Sequence, residues 1–295
     1  MKTNRGPGKA GLADWAKAAP FYVLPHHAIS RLVNGATRVQ ARWWKDPLTR
    51  WFMKRFSVDL SEAEIANLAE FEHFNAFFTR ALKPGARPLP EDPLALACPA
   101  DGAISAYGRI QGDSILQAKR HNYSLTTLLG GDHALAEPFL GGSFATIYLS
   151  PRDYHRVHMP AAARLREMLH VPGRLFSVAP FTVRSVPQVF ARNERVVCLF
   201  DTERGPLALV LVGAINVASI ETTWAGVVTP PRGRRIQRWR YEDEQAWEFA
   251  RGEEMGRFNM GSTVIVLFGP DQMQWAEGLD VDQPVRMGQA LGRYL

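Results

Sequence analysis

The sequence predicts an α+β protein that is mainly β, with a sandwich- or barrel-like β core behind N-terminal amphipathic helices. From Pro99 onward, short apolar or alternating runs recur: "AISAYGRI", "SFATIYLS", "RVVCLF", "LALVLVGAINVASIETTW" and "STVIVLF". Turn sequences such as "DGA", "GGD", "VPGR" and "TPPRG" separate them, the pattern of a sandwich or barrel. Upstream, Ile65, Leu68, Phe71, Phe74 and Phe78 recur at helical spacing.

At 295 residues, 46% hydrophobic and 22% charged, the chain has the composition of a globular protein with a sizeable core. Cys98 and Cys198 are too few for a disulfide framework and sit in apolar text, which points to small core residues in a reducing compartment. No run reaches the ~20 apolar residues of a membrane span, because "PLALVLVGAINVASI" is broken by Gly213 and Asn216. The opening "MKTNRGPGKAGLADW" lacks the apolar centre of a signal peptide.

Residues 1–56 read as short helices divided by Pro20, Pro25 and Pro47. Residues 1–55 hold eleven Lys and Arg against Asp14 and Asp46, a balance of +9, so the rest of the +6 chain carries −3. Trp15, Phe21, Tyr22, Trp43, Trp44, Trp51 and Phe52 are interleaved with these cations. An anionic membrane surface is the favoured partner, since Lys and Arg attract lipid headgroups and Trp settles at the interface. Packing of a basic arm on its own protein is the second reading and nucleic acid the third.

Residues 61–82 are expected to form one amphipathic helix, with Ser61 and Glu64 as a capping box and "KPGARPLP" ending it. The chain is thus divided into a basic helical segment, 1–56, expected to associate with a membrane, and a second domain, 57–295, which holds the candidate chemistry.

Three places could carry chemistry. "YLSPRDYHRVHMP", residues 148–160, gathers Asp153, His155, Arg156 and His158. Two histidines three apart could be metal ligands or could be satisfied by turn hydrogen bonds. Without an HExxH helix or a nearby cysteine, acid–base work is favoured. Asp101 in "PADG" reads as a turn residue, yet a carboxylate is also what a catalytic imidazole needs to fix its tautomer. Ser262 in "FNMGSTVIVLF" heads a strand outside any GxSxG elbow.

Together "FFTRALKPGARPL", "PADGAIS", "YLSPRDYHRVHMP", "VPGRLFSV", "SIETTWAGVVTPPR" and "GRFNMGSTVIVLF" closely resemble the bacterial, pyruvoyl-dependent phosphatidylserine decarboxylases, from about residue 20 to the end. The resemblance implies an enzyme of phospholipid biosynthesis that converts phosphatidylserine to phosphatidylethanolamine and CO2. It implies self-cleavage at Gly261–Ser262 into a β chain, 1–261, and an α chain, 262–295, that begins with a pyruvoyl group made from Ser262. The substrate amine would join this ketone as a Schiff base, with no metal required. Residue by residue, it implies Asp101 as orienting acid, His158 as self-cleavage base, Ser262 as nucleophile, His155 as the decarboxylation residue and, more weakly, Asp153 as support for the histidine pair. Gly261 would leave the attacked carbonyl unshielded. The family's usual LGST is MGST here, and Met260 keeps bulk and apolarity. The expected setting is the cytoplasmic face of the cell membrane, as a peripheral protein on its anionic lipid substrate, with a homodimer of αβ units and no nucleic acid.

Two rivals make different predictions. An N-terminal-nucleophile hydrolase would also cut before Ser262 but keep a free amine there. A lipid-binding or carrier module would stay uncut. The C-terminal "VRMGQALG" is similar to a turn of biotinyl/lipoyl-type domains but offers no Met-Lys-Met lysine.

Overall fold

The computed structural model describes residues 4–119, 121–215, 219–229, 235–241, 246–260 and 262–295. It is mostly β, with its longest helices at the N-terminus and short ones between later strands. Among the described residues the strands lie in four sheets, and none closes into a barrel.

The five apolar runs become strands. The ones that frame the site are β1 (Gly102–Arg109), β2 (Ser143–Leu149), β3 (Arg156–His158), β4 (Ala163–Val171), β5 (Arg195–Thr202), β6 (Gly205–Val212), β7 (Ile220–Thr222), β8 (Glu254–Phe258) and β9 (Ser262–Phe268). In the large sheet, β4, β5, β6, β9, β2 and β1 are consecutive antiparallel neighbours. A second sheet joins β7, β8 and β3.

β9 lies in the middle of the large sheet and is buried at every position. An unbroken run of Thr, Val, Ile, Leu and Phe suits a strand covered on both faces. It pairs from Ser262↔Leu149 to Phe268↔Ser143 on one side and from Thr263↔Val212 to Phe268↔Leu207 on the other. Farther on, Ala290–Tyr294 pairs with Ala95–Ala97 in a separate sheet. Residues 262–295 are therefore built into two sheets by hydrogen bonds, independently of the peptide bond that precedes them. Cys98 and Cys198 are buried and unpaired in the main core, as their apolar setting predicts.

The N-terminal text forms α1 (Leu12–Ala18), α2 (His26–Thr37) and α3 (Arg42–Phe56). Pro25 sits at the N-cap of α2, but Pro47 lies inside α3 and does not divide it. The carbonyl deprived of its partner there belongs to Trp43, a 77% exposed residue, which water can reach. α1 is tied to the body by a two-pronged contact from Arg184 to Asp14, at 2.8 and 2.9 Å.

The single helix expected over 61–82 is replaced by a fold-back. Only Phe74–Phe78, labelled α4, is α-helical, with a 3-10 turn at Leu68–Glu70, and Ala63 bridges Leu82. Ser61 bonds Asp59 instead of starting a capping box. The reason is burial. A continuous helix would turn Phe77 off the apolar stripe, whereas the compact arrangement buries Phe71, Phe74, Phe77 and Phe78 together with Phe52 of α3. Each such ring contributes about 1.5–3 kcal/mol on burial. Met260 packs against this aromatic cluster, so the cluster reaches to within two residues of Ser262.

Candidate active site

The register of β1, β2 and β9 brings the separated motifs to one end of the large sheet. Tyr148 of β2 is opposite Ala103 on one side and Thr263 on the other. Thus the start of β1, just after Asp101, and the start of β9, at Ser262, flank the end of β2. Gly102 is required by this closeness, because a Cβ there would stand 2.3 Å from the Tyr148 carbonyl oxygen. From Leu149 the chain runs through a turn into β3, where the His158 N–H donates to Pro99 O at 2.8 Å. That bond draws the Asp101 segment and the histidine segment together.

His158 is held at both ring nitrogens. Nδ1 is 2.8 Å from Gly252 O, and Nε2 is 3.0 Å from the Tyr154 hydroxyl. A carbonyl can only accept, so Nδ1 carries the proton and Nε2 is the basic nitrogen. Burial, the largest influence, holds His158 below its ordinary value, with the Gly252 carbonyl and the charges of Glu254 and Asp101 opposing. The ring is therefore neutral at neutral pH and able to take a proton.

Asp101 is engaged elsewhere. Arg87 grips it with Nε on Oδ1 at 2.9 Å and Nη2 on Oδ2 at 2.5 Å, and the Met287 N–H donates to Oδ1 at 2.8 Å. Both His158 nitrogens have other partners, so the tautomer-fixing contact expected from Asp101 is made by Gly252. Asp101 acts on the imidazole only through its charge, at longer range.

His155 is fully buried and stacks on Phe78, with ring centroids 4.0 Å apart and planes at 22°. Neither ring nitrogen has a hydrogen-bond partner at ordinary geometry. Burial, reinforced by the charge of Arg80, lowers it to about 3, so the ring is neutral throughout the physiological range. Asp153 makes no hydrogen bond to either histidine. Its carboxylate accepts from Ser150 N at 2.7 Å and closes the turn before His155. Burial raises Asp153 above the usual carboxylate range.

The Ser262 hydroxyl is buried and has no hydrogen-bond partner among the described residues. Gly261, the other residue of the expected cut site, lies outside the described residues. Just upstream, Asn259 is fixed through Asn75 Nδ2 at 2.8 Å, the Ser219 hydroxyl, and its own N–H on Ser219 O at 2.9 Å.

A cavity of about 460 Å³ opens beside these elements, lined by Arg80, Asp101, Tyr148, Ser150, Asp153 and Tyr154 among others. His155, His158 and Ser262 are not among the residues that line it. A larger cavity of about 540 Å³, near Arg251 and Tyr294, holds none of the site residues, so size alone does not locate the chemistry. Among the described residues no group of three His, Cys, Asp or Glu side chains could hold a metal ion.

The family profile described as phosphatidylserine decarboxylase matches residues 74–293, and a second, described as PSD, matches residues 16–57. A phosphatidylserine decarboxylase proenzyme of Pseudomonas fluorescens is 60% identical over 273 residues, covering 92% of this chain and 94% of that protein. Proenzymes of the same description from Pseudomonas entomophila and from Pseudomonas aeruginosa strain PAO1 are each 61% identical over 272 residues, with the same coverage. The chain belongs to the phosphatidylserine decarboxylase family. The first match spans Asp101, Asp153, His155, His158 and Ser262.

Sequence reasoning missed Tyr154, Arg87 and Gly252. Tyr154 and Arg87 stand inside quoted motifs, where a phenol four residues before a histidine was a usable signal. Gly252 contributes only its backbone carbonyl, which leaves no mark in side-chain identity.

Proposed function

We propose that the chain is the precursor of a phosphatidylserine decarboxylase that cuts itself before Ser262. What carries this reading is Ser262, a buried hydroxyl without a partner, at the head of the central strand of a decarboxylase-family chain. His158, with Nε2 as its basic nitrogen, serves as the base that withdraws the hydroxyl proton once Nε2 exchanges the Tyr154 hydroxyl, its partner in this structure, for that of Ser262. Ser262 Oγ then attacks the Gly261 carbonyl and the acyl group moves from nitrogen to oxygen. Removal of the Ser262 Cα proton expels the Gly261 carboxylate and leaves dehydroalanine. Tautomerisation and addition of water release ammonia and leave the pyruvoyl ketone.

The residues fit that group. The serine that would become it is shielded from water and anchored by a strand paired on both sides. Once formed, the pyruvoyl group supplies an electrophilic ketone that takes up the electrons released with CO2. His155, neutral and buried, positions the substrate through a ring N–H. Asp101 holds the Arg87 and Met287 segments against the site, and Asp153 shapes the turn that carries His155.

Residues 1–56 form the membrane-association segment and 57–295 the catalytic domain of this proposal. Trp43 and Trp51 are 77% and 59% exposed on α3, which carries Arg42, Lys45, Arg50, Lys54 and Arg55, and Leu32 is 75% exposed on α2 beside Arg31. Such a surface suits an anionic bilayer, at about 1 kcal/mol per basic residue near it. Phe52 is buried and Phe21 packs on the core, so these two serve the fold instead. The described residues contain no helix long and apolar enough to cross a membrane. We place the protein on the cytoplasmic face of the cell membrane, as a homodimer of αβ units.

The test is release of labelled CO2 from carboxyl-labelled phosphatidylserine. The wild type should release it, and Ser262→Ala should remain uncut and release none. A cut wild-type protein that releases no CO2 would overturn the proposal.

A further inference from the structure

Arg80, in "FFTRAL", is the arginine of the 460 Å³ cavity that makes no ion pair among the described residues. Its side chain is buried, with the residue 6% exposed. One terminal nitrogen donates to Arg152 O at 3.1 Å and, more weakly, to Asp153 O at 3.5 Å. Nε is enclosed and has no hydrogen-bond partner among the described residues. The guanidinium lies over the Phe77 ring, 5.8 Å from its centroid. No carboxylate comes within ion-pair distance of it among the described residues.

The other cavity arginines differ. Arg87 is paired with Asp101 and Glu62, and Arg286 with Glu62. Arg152 is largely exposed and 3.8 Å from Asp153. The cavity lining also holds Asp59, Asp153 and Asp282, and Asp101, Asp153 and Asp59 act on Arg80 through their charge from beyond ion-pair distance. Asp101 is engaged by Arg87 and by Met287 N, Glu62 by Arg87 and Arg286, Asp153 by Ser150 N and Asp59 by Ser61. A guanidinium taken out of water without an anion is costly, and arginine does not shed its proton to escape the cost. A ligand anion entering this cavity would supply the direct ion-pair partner that Arg80 lacks. Arg80 is also close enough to His155 for its charge to act on that ring. The cavity falls in the size range of small-ligand sites.

We propose that Arg80 is the anchor for the phosphodiester of the substrate headgroup. This rests on the decarboxylase reading and adds a residue to it. The headgroup offers two anions, and the reaction distinguishes them. A cation on the carboxylate would stabilise the ground state more than the transition state, because that charge departs with CO2. A cation on the phosphodiester stabilises both equally, since its charge does not change. Arg80 therefore governs KM and leaves kcat nearly alone.

The experiment compares wild type, Arg80→Gln and Arg80→Lys, each checked for cutting by mass. Two soluble probes are titrated by calorimetry, glycerophosphoethanolamine for the phosphodiester and free serine for the carboxylate. Arg80→Gln should weaken glycerophosphoethanolamine about 10- to 100-fold, the range for hydrogen bonds to a charged group. Serine binding should be unchanged, and KM for phosphatidylserine should rise by a similar factor at constant kcat. Arg80→Lys should recover part of the loss, because it keeps the charge but not the fork. Unchanged glycerophosphoethanolamine binding in Arg80→Gln, or loss of serine binding instead, would overturn the assignment. If Arg80→Gln fails to fold, Arg80→Lys decides: weakened phosphodiester binding supports the anchor and wild-type binding refutes it. Arg80-dependent phosphodiester binding in a protein that releases no CO2 would leave the anchor standing and remove the decarboxylase reading.

Discussion

His158 Nδ1 stands 2.8 Å from the carbonyl oxygen of Gly252, and this contact determines which nitrogen of the ring can act as a base. The proton is fixed on Nδ1, and Nε2 is left with a lone pair toward Tyr154. The cutting reaction should therefore follow the neutral fraction of His158. Because burial lowers this group, cutting should be slow in acid, with the midpoint of its pH profile below the ordinary histidine value of about 6.5. His158→Ala should abolish cutting at every pH, read as the fraction of two-chain product over time.

Tyr154 donates its hydroxyl to the neutral form of His158. A hydrogen bond to the neutral form disfavours the charged form. Tyr154→Phe should raise the apparent pKa and move the midpoint of the cutting profile upward, while the plateau rate at high pH stays within about tenfold of wild type. An unshifted midpoint would show that the hydroxyl does not act on the base.

Asp101 and Arg87 form a mostly buried ion pair, with side chains 12% and 7% exposed. Removing one charge from such a pair strands the other. Asp101→Asn in an uncut Ser262→Ala background should lose about 3 kcal/mol of stability, measured by urea unfolding. A loss under 1 kcal/mol would mean that water already shields Arg87.

His155 gives a stability signature of its own. Its folded value, about 3, lies below the unfolded value near 6.5. The unfolded chain thus binds a proton in acid that the folded chain refuses, so this group's stabilisation is complete above the unfolded value and declines as pH falls toward 3. The slope is at most about 1.4 kcal/mol per pH unit. His155→Gln, compared with its parent by urea unfolding at pH 7 and pH 5 in the Ser262→Ala background, should flatten that difference. The same substitution in the intact protein should leave cutting in place and impair decarboxylation.

Trp43 and Trp51 stand out from the basic helices. Replacing both with Ala should weaken binding to anionic vesicles by about 2 kcal/mol, read by sedimentation. The remaining electrostatic part should fall as salt rises. Binding indifferent to both the substitution and salt would remove the membrane reading of this surface.

The β portion was legible because each core strand carries its own signal. Thr263 to Phe268 needs no partner to read as a doubly covered strand, and β1, β2, β5 and β6 follow the same logic. The 61–82 segment was misread because phenylalanines at helical spacing also suit a folded-back cluster, and only the position of Phe52 decides between them. The site followed the same division. The histidine pair stood out by side-chain chemistry, whereas Asp101 and Ser262 gained their roles only from the family resemblance, and the strand register brings their segments to one end of the sheet. Their contacts were not legible: Arg87 claims Asp101 across the fold, and a backbone carbonyl does the work assigned to a carboxylate.

The most direct test of self-cleavage at Ser262 is the intact mass of the purified protein under denaturing conditions. The prediction is two chains, 1–261 and 262–295, the smaller lighter than its unmodified sequence by the mass of one ammonia. A single uncut chain from protein that decarboxylates phosphatidylserine, or a small chain that keeps a free serine amine, would contradict it.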